Sequence, residues 1–357
     1  MENTDTYYEG IERWGRGVVV ITGSSGLIGS QLIKHLPKQY TIIGLDNPGF
    51  PYPPNEAECI PMDITSDDSV QQAFAQIKEK HGNRISSFIH LSAYYDFSGR
   101  PSHLYEKITV QGTERVLKFL KDFEVEQFVF SSSLLVYKST VPGQKITEES
   151  SLNPTWDYPK SKVKTERLIH QQHGDIPVVI LRMAGVYNEE GASIPITNQI
   201  QRIYEKQLTS HFYPGNLSYG NPFIHLEDLV QAIMLAIQKR DDLPNEVIIN
   251  LGKPETLSYN QLQQTIARLL YNKNWKTYRI PKALAIVGAW VMNLFGDAFI
   301  KPWMIDRTDD HAELNISRAE NLLGWEPKHS LKETLPKMIA ALKANPDKWY
   351  KENKLKK

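Results

Sequence analysis

Two apolar rhythms alternate along the first half of the chain. Short unbroken runs are bounded by glycine or polar residues: GVVVIT (Gly17–Thr22), TIIGLD (Thr41–Asp46), SSFIHLSA (Ser86–Ala93), QFVFSSS (Gln127–Ser133) and PVVILRMAG (Pro177–Gly185). Such runs have no polar face and predict strands buried on both sides, as in a parallel sheet. Between them the apolar residues follow helical spacing, as with Leu27, Leu32, Ile33 and Leu36, and then in Ser69–His81, His103–Phe123 and Tyr158–Gln172. Strands alternating with helices predict βαβ units with right-handed crossovers. After Gly185 prolines and asparagines become frequent, and helices dominate at Leu226–Lys239 and Ser258–Leu270, with one returning strand, EVIINLG (Glu246–Gly252). The fold class is α/β: a doubly wound parallel sheet over 14–185, rejoined by about 221–252. A smaller, mainly helical substrate-binding domain takes 186–220 and 253–345, and 346–357 reads as a solvated basic tail.

Composition narrows the function. The apolar set is 41% of 357 residues, enough for a sizeable core. Lys+Arg 41 against Asp+Glu 41 leaves no net charge, which argues against a nucleic-acid partner. Cys59 is the one cysteine, so a disulfide scaffold is excluded and a reducing, cytoplasmic setting is expected. The first sixteen residues lack the basic start and apolar stretch of a signal peptide. No apolar run reaches the roughly 18–20 residues of a membrane span. The longest, Ala283–Gly296, is read as a buried helix rather than an interface-seeking one, with Trp290 and Met292 in the core, and membrane contact is not expected.

The candidate chemistry begins after the first strand. TGSSGLIGS places Gly23, Gly26 and Gly29 between a strand and a helix, where glycine permits a tight turn, a close approach to a pyrophosphate and close helix packing. Asp46, 17 residues on at the end of the next strand, suits the ribose hydroxyls of a dinucleotide and would repel a 2′-phosphate. The sheet is therefore Rossmann-like, with NAD favoured over NADP. Asp63 fits either an adenine contact or a helix cap. In YPKSK, Tyr158 and Lys162 stand four apart, on one helix face, about 25 residues after Ser131, Ser132 and Ser133. An ammonium beside a phenol lowers its pKa, and a phenol so tuned can exchange a proton with a substrate alcohol or ketone. His170 and His173 are read as helix-terminal residues, and no metal is expected.

These pieces, with HLSA (His90–Ala93), VQGT (Val110–Thr113), LRMAGVY (Leu181–Tyr187), FIHLEDLVQAI (Phe223–Ile233), NLG (Asn250–Gly252) and NISRAENLLGWEP (Asn315–Pro327), resemble the extended short-chain dehydrogenase/reductases of the NAD-dependent epimerase/dehydratase type. The resemblance implies that Ser133 holds the reacting oxygen, Tyr158 is the acid/base, and Lys162 tunes Tyr158 and holds the nicotinamide ribose. It implies NAD contacts from Gly23, Ser25, Gly26, Leu27, Ile28, Gly29, Asp46, Asp63, Ile64, Leu91, Ala93, Met183 and Val186. Substrate contacts are expected from Tyr94, Asp96, Ser132 and Asn188, with Tyr95 and Phe97 as further walls. Similar proteins pair as homodimers through the helices at His103–Phe123 and Tyr158–Gln172, which would bury Val116, Leu117 and Leu120.

Departures from the family pattern bear on the substrate. Thr109 replaces an asparagine and Met183 a proline. Leu134 and Leu135 replace the Asp-Glu of the sugar dehydratases, so water elimination is rejected. Asn188, Glu189, Glu190 and Gly191 replace a G-P-R run, so no diphosphate clamp shows there, and Arg307 is read as a surface residue. The apolar 283–296 stretch and HLSAYYDF resemble the hydroxysteroid-dehydrogenase and dihydroflavonol-reductase branches. The expected function is therefore hydride transfer between NAD and a secondary alcohol or ketone carbon of a bulky non-nucleotide small molecule. A nucleotide-sugar epimerase is the alternative, and a non-catalytic NAD-sensing protein the second.

Overall fold

The computed structural model describes residues 17–49, 54–96, 100–294 and 302–356, with the side chains of 291–294 and 302–303 left aside. Seven strands form one sheet: β1 (Gly17–Thr22), β2 (Tyr40–Asp46), β3 (Glu58–Pro61), β4 (Ser87–His90), β5 (Phe128–Ser133), β6 (Val178–Met183) and β7 (Glu246–Leu251). Their spatial order is β7-β6-β5-β4-β1-β2-β3, and every pair is parallel. The order runs outward from β1 in both directions, so the carboxyl ends of β1 and β4 flank the switch point where doubly wound sheets bind ligands. Burial on both faces explains the strands' unbroken apolar runs: β5 is covered along its whole length.

Helices α1 (Leu27–His35), α2 (Asp67–His81), α3 (Gln111–Leu120), α4 (Asp157–Gln172) and α6 (Leu226–Gln238) flank the sheet, with α5 (Ile194–Tyr204) coming between α4 and α6 in the chain. Ser66 caps α2 by accepting from the Ser69 N–H, and Asp67 and Asp68 favour its positive end. The second unit adds α7 (Tyr259–Tyr271), α8 (Lys282–Leu294), α9 (Pro302–Asp306), α10 (Ser317–Leu323), α11 (Leu331–Ala344) and α12 (Pro346–Glu352). Its own core gathers Tyr187, Ile196, Ile200, Trp275, Leu335 and Trp349.

Several expectations are corrected. The helix expected over His103–Phe123 runs unbroken into α3, but its first part, Tyr105–Val110, is wound as a π-turn. Val116, Leu117 and Leu120 are buried within the chain against the sheet, so they offer nothing to a dimer partner, and the outer positions Glu114, Lys118, Lys160 and Lys164 are charged. The tail is docked rather than solvated. Trp349 and Tyr350 are buried, and the Asn353 amide donates to the Glu190 carbonyl at 2.9 Å while its Oδ1 accepts from the Ala192 N–H at 2.9 Å. The apolar helix α8 is not buried either. Ala289 packs inward, but Leu284, Val287 and Trp290 are 60%, 59% and 63% exposed. Phe97 and the Met292 side chain lie outside the described residues.

Candidate active site

At the glycine turn, Gly23 has φ +70°, the left-handed conformation that turns β1 into α1. A Cβ on Gly29 would stand 2.4 Å from the Gly23 carbonyl oxygen, so only glycine lets α1 approach β1 this closely. No side chain caps α1 at Gly26, and the Ser24 and Ser25 hydroxyls are buried there without a partner among the described residues. Uncapped N–H groups and orphaned hydroxyls at a helix start fit an anion. Asp46 is held beside this turn: its Oδ2 accepts from the Ser25 N–H at 2.9 Å and its Oδ1 from the Asn47 N–H at 2.8 Å. Asp63 does not cap α2, since Ser66 does; its Oδ1 instead accepts from the Thr65 N–H and hydroxyl, both at 2.8 Å. Ile64 buries its side chain against Gly112, which leaves its backbone for contact. Leu91 and Ala93 follow the end of β4, and Met183 and Val186 lie at and just after the end of β6.

Strand β5 delivers its serines to the carboxyl edge, and α4 sets Tyr158 and Lys162 beside them. The Ser133 hydroxyl neighbours the Tyr158 phenol closely enough to act on its pKa, and its Oγ accepts from the Leu135 N–H at 3.2 Å. Lys162 is buried: Nζ donates to the Ser131 carbonyl at 2.6 Å and lies 5.8 Å from the centre of the Tyr158 ring. Burial pulls the Lys162 ammonium down to about 7, with the Glu166 carboxylate acting against it. Burial also pushes the Tyr158 phenol up to about 12; the Ser133 hydroxyl opposes the rise and Tyr105 adds to it. The expected lowering of the phenol by Lys162 is absent: burial sets the direction, and Lys162 is not among the groups that act on it. His90, behind the site between Thr22 (2.8 Å) and Thr113 (2.9 Å), is held neutral, its pKa lowered to about 3 by burial and then by Lys162.

Aromatic rings surround the phenol. Tyr95, Trp156 and Tyr105 have ring centres 5.1, 5.5 and 6.4 Å from that of Tyr158, and Tyr94 packs edge-on to Tyr105 at 4.8 Å. Tyr105 also donates to the Asp96 carbonyl at 2.8 Å, which keeps Asp96 at this wall. Trp156 and Tyr105 escaped the sequence reading; the available signal was an aromatic residue two positions before Tyr158.

Two residues expected to touch substrate have other partners. Ser132 points away from Ser133 and donates to the buried Glu166 carboxylate. Asn188 lines a separate cavity with Gln31, His35, Glu189, His225 and Glu227, where its Oδ1 accepts from the Glu190 N–H at 3.1 Å. Sequence reading also missed the network behind Ser132. Arg182 grips Glu166 through Nη2 at 2.6 Å and Nε at 3.1 Å, and donates to the Tyr137 hydroxyl at 2.8 Å, which donates to Asn250 at 2.8 Å. It ties α4 to β6 and β7.

Arg307 is not a plain surface residue. It donates to the Thr155 hydroxyl, three positions before Tyr158, and pairs with Asp310 at 2.6 Å. Near Asn188, His225 and His329 stack at 4.2 Å with Glu189, Glu227 and Asp228 around them. The His225 Nδ1 accepts from the Glu227 N–H, which leaves the proton on Nε2, facing Glu189 at 3.3 Å; the group reads as an ion-pair network. His170 and His173 both face Glu246, at 2.8 and 3.8 Å.

The family model described as the NAD dependent epimerase/dehydratase family matches residues 19–252, from the first strand through the last strand of the sheet. The chain belongs to that family. Among its relatives, the UDP-glucose 4-epimerase of Vibrio cholerae is 24% identical over 92% of this chain and 96% of its own. The human dTDP-D-glucose 4,6-dehydratase is 24% identical over 94% of this chain and 90% of its own. The crystal structure of UDP-glucuronic acid 4-epimerase from Bacillus cereus, with UDP-glucuronic acid and NAD, superposes with a TM-score of 0.69 at 19% identity, over 92% of this chain and 99% of that one. Within this epimerase/dehydratase family the Rossmann-like sheet and the enzyme class follow for this chain.

Proposed function

We propose that the protein is an NAD-dependent epimerase acting on a nucleotide sugar, with Ser133, Tyr158 and Lys162 as its catalytic set. The observation that carries this reading is the convergence of the Ser133 hydroxyl, the Tyr158 phenol and the buried Lys162 at the carboxyl edge of the sheet. The residues fit NAD: the orphaned Ser24 and Ser25 hydroxyls and the uncapped start of α1 suit its pyrophosphate, and Asp46 suits its adenosine ribose. Bound NAD would take a hydride from the substrate carbon and return it.

The chain's own part is proton and position. Ser133 fixes the reacting oxygen by a hydrogen bond, and Tyr158 takes its proton as the carbon–oxygen bond becomes a carbonyl. Tyr158 then returns the proton to the same oxygen. The rings of Tyr95, Trp156 and Tyr105 limit water around the phenol. Burial holds the Tyr158 proton tightly, and positive charge at the nicotinamide end of bound NAD would favour drawing it off.

The substrate reading departs from the non-nucleotide expectation. Relatives named as UDP-sugar epimerases span nearly the whole chain, and Arg307, bonded to Thr155 three positions before Tyr158, is a guanidinium of the kind that grips a diphosphate. Epimerisation is favoured over dehydration because Leu134 and Leu135 follow Ser133. Leu134 packs on the apolar core, so the turn offers no carboxylate for eliminating water. The test is a panel of UDP-glucose, UDP-glucuronate, dTDP-glucose, sterols and aromatic alcohols, each incubated with protein and NAD and analysed by NMR. The expected result is an inverted sugar carbon with no net change in nicotinamide absorbance. Turnover confined to sterols or aromatic alcohols, with NADH accumulating, would overturn it.

A further inference from the structure

We propose that α8 and the basic stretch before it dock the protein onto an anionic lipid surface. The helix KALAIVGAWVMNL carries no acidic residue, and its described positions are apolar on both faces after Lys282. One face is used. Ala289 is buried, as is Ile305 on the neighbouring helix α9, and Lys282 binds Asp309 at 2.8 Å and the Asp306 carbonyl at 3.2 Å. The opposite face presents Leu284, Val287 and Trp290, three residues apart and thus in one row. Phe212 and Tyr278, also exposed, stand with ring centres 6.3 Å apart on the two-stranded ribbon just before α8.

Charge selects the occupant. From Tyr271 to Leu294 the chain carries Lys273, Lys276, Arg279 and Lys282 and no Asp or Glu. Lys273, Lys276 and Arg279 are exposed and form no ion pair among the described residues. A second copy meeting this face across a two-fold axis would set these cations against one another. An anionic bilayer pairs with them and receives the apolar row, with tryptophan at the headgroup level. Over its 13 described residues the helix is about 20 Å long, short of the roughly 30 Å hydrocarbon core, and no helix among the described residues is long and apolar enough to cross, so the docking proposed is in the surface.

The experiment is co-sedimentation of the full chain with vesicles of phosphatidylcholine alone and of phosphatidylcholine with phosphatidylglycerol. Binding to the mixed vesicles is expected, weakening as salt is raised, with little binding to the neutral ones. Lys276→Gln should lower the partition coefficient about fivefold, and Trp290→Ala on the order of tenfold. Both variants should keep the parent's unfolding midpoint and its NAD-induced shift. Vesicles should blue-shift the parent's fluorescence, and Trp290→Phe should remove that shift. Three results overturn the proposal: no binding to either vesicle, equal binding to both, or variants that bind like the parent. Concentration-dependent self-association abolished by Trp290→Ala, without vesicle binding, would assign the face to a second copy instead.

Discussion

Replacing Glu166 by glutamine removes the negative member of an enclosed ion pair. The Arg182 and Glu166 side chains are only 4% and 7% exposed, and the two nitrogens of the guanidinium meet the carboxylate at 2.6 and 3.1 Å. The variant keeps the shape but leaves a buried cation without its counter-charge, and it sets an amide N–H where Ser132 and Arg182 both donate. Breaking such a pair from one side costs about 3–5 kcal/mol. For 357 residues at about 2.1 cal/mol/K of unfolding entropy each, the midpoint should fall by about 4–7 °C. Calorimetry on the parent, Glu166→Gln and the double variant Glu166→Gln/Arg182→Met measures it. The double variant has no orphaned charge and should recover most of the loss. Glu166 also lifts Lys162 against burial, so the limb of the pH–rate profile that reports Lys162 should move to lower pH. A single-variant midpoint within about 1 °C of the parent, or a double variant no better than the single, refutes the reasoning.

Tyr158→Phe removes only the phenolic oxygen; it should keep NAD binding, seen as a thermal shift, and abolish turnover, and near-parent activity would assign the proton to another group. Asp46 beside the Ser25 N–H should make NAD stabilise the protein more than NADP in paired thermal-shift titrations, and the preference should shrink in Asp46→Asn. The Asp228 hydrogen bond, with Glu227 and Glu189 nearby, raises the His329 pKa above 6.5 against burial. The stability it contributes is therefore complete below 6.5 and lost as pH rises through the raised folded value. Urea unfolding across that window should show the loss in the parent and not in His329→Gln.

The strand–helix alternation was legible because strands covered on both faces leave an unbroken apolar signature, and β1, β2, β4, β5 and β6 all carry one. Ser133, Tyr158 and Lys162 were legible for a related reason: each sits at a position that the strand end or the helical repeat defines. Ser132 was misplaced because successive strand side chains point to opposite faces, so the neighbour of a site residue turns away from the site. Burial of the phenol could not be read locally, since the rings that produce it come from the segment after β4, from the π-turn and from the start of α4. Trp349 and Tyr350 resemble decoration of a basic tail until the core they fill exists. Helix α8 failed for the opposite reason: apolar residues predict cover, and nothing in a sequence says whether the chain supplies it.

The last strand of the sheet has a bearing on synthesis. β7 pairs with β6, yet about sixty residues separate the end of one from the start of the other. At ribosomal speeds of roughly 5–20 residues per second, the outer edge of β6 waits about 3–12 s for its neighbour. During that interval VVILRM is an open apolar edge, the kind that recruits strands from other nascent chains. The buried Arg182 in that strand interrupts the run with a charge, and its partners Glu166 and Tyr137 are synthesised before it. Substitutions in Val247–Leu251 therefore fall first on the yield of folded protein, and only afterwards on the chemistry at the far end of the sheet.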